Sequence, residues 1–100
     1  MNDYWMTFRI SGADEADRRS RLLGELRSAS SEGSWWNETG SFVTFQSKLD
    51  IEALRDLTAG ILDTDQDFAL IGMFYLMKWE LVGSARDTSL FQTLRYAGVF

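Results

Sequence analysis

The 100-residue chain has no cysteine, no histidine and no proline. Without cysteine there is neither a disulfide frame nor a thiolate metal site. Without histidine there is no imidazole base, no Ser-His triad and no imidazole-ligated metal, which removes most familiar hydrolase arrangements. The lack of proline leaves the turns to Gly, Ser and Asp. The start, Met1, Asn2, Asp3, Tyr4 and Trp5, lacks the basic and apolar regions of a signal peptide, so the simplest expectation is a bacterial-type cytosolic protein. The longest uncharged run, residues 68–77, is too short to span a bilayer, which takes about 20 residues, so no membrane association is expected. The net charge of −5 disfavours non-specific attraction to a polyanion. Six basic and seven acidic residues lie in 1–48, against four and eight in 49–100, so any basic face must come from the first half.

What is present suffices for one small domain: 45% apolar residues, 14% of the chain aromatic. The run from Phe68 to Met77, apolar at every position but Gly72 and preceded by three acids, reads as a strand buried on both faces and continuing to Val82. Gly72 or the region from Tyr75 to Lys78 is where such a long strand could bend. Tyr4, Met6, Phe8 and Ile10 alternate with Trp5, Thr7 and Arg9, the period-two pattern of a first strand over 3–11. Acids at 14 and 15 then open a helix over about 13–29, with Leu22, Leu23 and Leu26 on one side. Trp35 to Glu38 and Ser41 to Gln46 flank Gly40 as a short hairpin. Asp50 is the expected N-cap of a second helix carrying Ile51, Leu54, Leu57 and Ile61.

This order is that of a ferredoxin-like βαββαβ plait of the α+β class, with two helices on one face of a four-stranded antiparallel sheet. The expected domain covers 1–83. A C-terminal extension, 84–100, carries Leu90, Phe91, Leu94 and Tyr96 at helical spacing.

Three clusters are candidate sites. Asp63, Asp65 and Asp67 have the spacing that opens an EF-hand loop, but Phe68 and Phe74 stand where glycine and glutamate are needed, so a solvated acidic turn is expected. Arg18, Arg19, Arg21 and Arg27 alternate with acids in i,i+4 pairs such as Asp14 with Arg18 and Glu15 with Arg19, the pattern of a self-paired helix face. Trp35 and Trp36 are adjacent, so a strand sends one to the core and the other to the open face, where tryptophan suits a protein interface or base stacking. Trp5, Trp35, Trp36, Phe74, Trp79, Leu90 and Phe91 are the interface candidates. No catalytic, cofactor-binding or metal-binding residue is assigned, and no cofactor is expected.

The stretch 34–73 combines Trp35 and Trp36, then Glu38, Thr39 and Ser41, the strand from Phe42 to Gln46, the Asp50-capped helix and the acidic turn before an apolar strand. It resembles small SinR-like bacterial proteins, relatives of the ferredoxin-like CRISPR-associated adaptation nuclease and similar in architecture to GhoS-type antitoxins. The resemblance implies a homodimer whose last strand reaches the partner's sheet and, in some members, a metal-dependent nuclease with an aspartate ending strand one. Here that strand ends Phe8, Arg9, Ile10, Ser11, with no acid between Asp3 and Asp14. The expected function is therefore a non-catalytic, dimeric protein-interaction module. The alternative is a small endoribonuclease or RNA-binding antitoxin-like protein of the same fold.

Overall fold

A computed structural model describes residues 1–87 and Ser89. The chain forms β1 (Asn2–Arg9), α1 (Glu15–Ala29), β2 (Phe42–Ser47), α2 (Ile51–Ala59), β3 (Phe68–Met73) and β4 (Trp79–Gly83). The strands make one antiparallel sheet in the order β2-β1-β3-β4. This is an α+β ferredoxin-like plait, a four-stranded sheet carrying two helices. β2 and β3 are each antiparallel to β1 and hence parallel to one another, so α2 connects two strands with β1 inserted between them.

The alternation in β1 does what its period demands. Tyr4, Met6 and Phe8 are buried on one face, joined there by Val43 and Phe45 from β2, Ala69 and Ile71 from β3, and Val82 from β4. Leu22 and Leu26 of α1, with Ile51 and Leu54 of α2, close over this face. Each large side chain so enclosed contributes about 1.5–3 kcal/mol relative to exposure. The Asp50 carboxylate accepts the Ala53 N–H at 2.8 Å and starts α2 where the sequence placed it.

Two elements differ from the sequence expectation. The apolar run 68–82 is two strands, because the chain reverses at 74–78 and pairs β4 back on β3. The first arm of the expected hairpin is reduced to isolated bridges, Ser30 with Ser47 and Trp36 with Thr44, so residues 30–36 run as a loose ribbon along the outer edge of β2. The Ser31 N–H donates to Gln46 O, and Trp36 and Thr44 exchange both backbone bonds. That ribbon blunts one sheet edge. No described strand pairs with the outer side of β4. The expected tail helix with Leu90, Phe91, Leu94 and Tyr96 lies outside the described residues.

Candidate interaction surface

The face of the sheet opposite the helices is built by register. Residues directly opposite one another on neighbouring strands project to the same side. Trp36 faces Thr44, Thr44 faces Trp5, Trp5 faces Gly72, and Gly72 faces Trp79. Three of the four tryptophans thus stand in one row across the sheet, separated by small residues and two strand spacings apart, about 10 Å. A second row, Phe42, Thr7, Leu70 and Leu81, runs beside it. Gly72 is required here: a Cβ at that position would meet the Trp5 indole. Trp5 and Trp79 are half-buried, and Trp36 is 41% exposed with its ring edge-on to Phe42. The adjacent Trp35 faces the other way, packed against the core beside Phe45.

At one end of this face the β3–β4 turn projects into solvent. Phe74, Tyr75, Leu76 and Met77 are 55, 83, 53 and 60% exposed, four consecutive large apolar side chains. The turn is held by backbone bonds, Met73 N–H to Lys78 O and Lys78 N–H to Leu76 O, while the Phe74 N–H still donates to Asp3 O of β1. Between this tip and β2 lies an open cleft of about 280 Å³, lined by Phe74 and Tyr75 on one side, Thr44 and Gln46 on the other, and Asp3. No charged partner engages the Asp3 carboxylate or the Lys78 ammonium among the described residues.

The opposite end of the sheet is polar and closed. Asp67, just before β3, is fully buried instead of belonging to a solvated turn. Its Oδ2 accepts Arg18 Nε and the Asp63 N–H, both at 2.8 Å, and its Oδ1 accepts the Ser11 N–H at 3.1 Å. Burial alone pushes this carboxyl up; the hydrogen bonds from Arg18, Asp63 and Ser11, with the Arg18 charge, outweigh it and hold the pKa below the ordinary carboxylate value. Arg18 also donates to the carbonyls of Ser11 and Ala13, so it ties the start of α1 to the loop before β3 instead of forming the expected ion pair with Asp14. Arg19 donates to Gly40 O and Ser41 Oγ and lies over the Phe8 ring, away from Glu15. Of the three turn acids, Asp63 accepts from the Asp65 N–H and Gln66 side chain while Asp67 turns inward, so the carboxylates do not converge. Among the described residues no group of three or more His, Cys, Asp or Glu side chains is placed to hold a metal ion.

The structure therefore gathers Trp5, Trp36 and Trp79 in one row and Phe74 at the tip beside it. Trp35 lies across the sheet, and Leu90 and Phe91 are outside the described residues. Sequence reasoning missed Leu76 and Met77 as exposed residues, because an uninterrupted apolar run reads as core; their only signal was the suspected bend. No helix among the described residues is long and apolar enough to cross a membrane. No protein-family model, curated protein or solved structure matches the chain.

Proposed function

We propose that the chain is a non-catalytic protein-interaction module that works as a homodimer. The observation that carries this reading is the β3–β4 tip, where four successive large apolar residues are exposed at a turn without Gly, Pro, Asn or Asp. Contiguous apolar surface of that kind on a small domain marks a contact site. No described strand pairs with the outer side of β4, which supports it further, since an open strand edge is a template for pairing with another chain. A two-fold dimer is the commonest closed assembly. Membership of the SinR-like group and a bacterial cytosolic setting belong to the same proposal, on the pattern over 34–73 and the cysteine-free composition.

Binding of single-stranded RNA is the second reading, favoured by the tryptophan row, because aromatic side chains on a sheet face stack on bases. The acidic net charge weighs against it. Light scattering over a range of concentrations tests the first reading: a mass of twice the 11.4 kDa chain is expected, and a constant monomer mass overturns it. Incubation with labelled RNA, with and without magnesium or manganese, tests the non-catalytic part. Cleavage that follows the protein through purification would refute it.

A further inference from the structure

The dimer interface can be assigned more closely, and this step rests on the self-association just proposed. We infer that the β3–β4 tip of one copy seats in the cleft beside the tip of a second copy, reciprocally, with Lys78 of each chain meeting Asp3 of the other. An interface with two-fold symmetry uses the same patch on both subunits, so the patch must be its own complement. The two halves adjoin here: Leu76, Met77 and Lys78 form a projecting knob, and Phe74 and Tyr75 of the same turn form one wall of an open cleft of about 280 Å³. A two-fold axis beside the turn places each knob over the other copy's cleft.

Charge settles which occupant suits that cleft. Its lining includes the Asp3 carboxylate, which makes no ion pair or side-chain hydrogen bond among the described residues. The knob ends in Lys78, exposed and likewise without a side-chain partner among the described residues. An apolar tip followed by a cation is thus matched to a part-apolar cleft bearing an anion, and both are on this chain. Pairing these charges at the rim sets the register of the dimer, while Leu76 and Met77 supply the apolar burial. A nucleic acid fits the cleft poorly, because Asp3 would face its phosphates.

The test is a charge exchange. Lys78→Asp sets acid against acid at both contacts, and Asp3→Lys sets base against base, so each variant alone should self-associate at least about tenfold more weakly than the wild type. Mixed one to one, the two variants restore both opposite-charge contacts, and light scattering should report the dimer mass again. Leu76→Ser with Met77→Ser, at exposed positions that leave the core untouched, should also dissociate the dimer with circular dichroism unchanged. If the single charge variants remain dimeric, or if the mixture fails to recombine, the reciprocal seating is wrong. A dimer that survives the Leu76 and Met77 substitutions overturns it as well and moves self-association to another surface. A monomeric wild type would instead defeat the proposed function itself.

Discussion

Asp67 and Arg18 show how much one buried residue can organise. The four donors around the Asp67 carboxylate come from three places: the Ser11 N–H after β1, Nε and Nη2 of Arg18 in α1, and the Asp63 N–H in the loop after α2. Removing the carboxylate would leave the Arg18 guanidinium, whose side chain is only 14% exposed, without its counter-charge. Asp67→Ala should therefore destabilise the domain by about 3 kcal/mol in urea unfolding, the scale of breaking a buried pair. The pH dependence follows from the direction of the shift. A carboxyl whose folded pKa is depressed contributes stability that is complete above its unfolded value, near 3.8, and is lost as pH falls through the lower folded value. Wild-type stability should drop steeply across that acid window, and Asp67→Asn should flatten the drop while lowering the plateau above it.

The two helices begin with an aspartate each, yet the two caps are different objects. Asp50 is extended, φ −77° and ψ 169°, and its carboxylate holds the Ala53 N–H. Asp14 sits in the left-handed region, φ 62°, and its side chain makes no capping bond. Opposite outcomes are expected from thermal unfolding. Asp50→Ala should lower stability by about 1 kcal/mol. Asp14→Gly should not destabilise, and relief of the positive φ can add up to about 1 kcal/mol. Gly83 lies beside the same polar end with φ 85°, and a Cβ there would collide with the Asp67 carbonyl, so β4 can leave the sheet at this point only through glycine.

For the whole molecule, the division between a closed polar end and an open apolar end determines what should be measured. The polar end is paired internally through Arg18 with Asp67 and through Arg9, which donates from Nη2 to Gln66 O and Ser84 O while its buried Nε has no hydrogen-bond partner among the described residues. The apolar end leaves Phe74, Tyr75, Leu76 and Met77 exposed, and in the proposed dimer a second copy covers them. Self-association through native surface stabilises by mass action, so the melting temperature should rise with protein concentration. The variant carrying Leu76→Ser and Met77→Ser should lose that dependence while keeping the wild-type melting temperature at the lowest concentrations. A concentration-independent melting temperature in the wild type would contradict the dimer. Because the turn acids do not converge, millimolar calcium should leave the melting temperature unchanged; a rise of several degrees would mean a bound cation.

Local chemistry by itself determined β1, α2 and the facing of the two adjacent tryptophans. Period-two alternation from Tyr4 to Ile10, the spacing of Ile51, Leu54 and Leu57 behind an aspartate, and the opposed facing of Trp35 and Trp36 are properties of neighbours in sequence, and each is realised in the fold. Only the tertiary structure decided the surfaces. The tryptophan row exists because β1, β2, β3, β4 and the 30–36 ribbon meet in one register, and register relates residues as far apart in the chain as Trp5 and Gly72. Asp67 is buried because its counter-charge lies 49 residues away on α1. Residues 74–78, where the chain reverses, hold no Gly, Pro, Asn or Asp; the pairing of β4 on β3 imposes the turn and turns residues that read as core into the most exposed apolar group described.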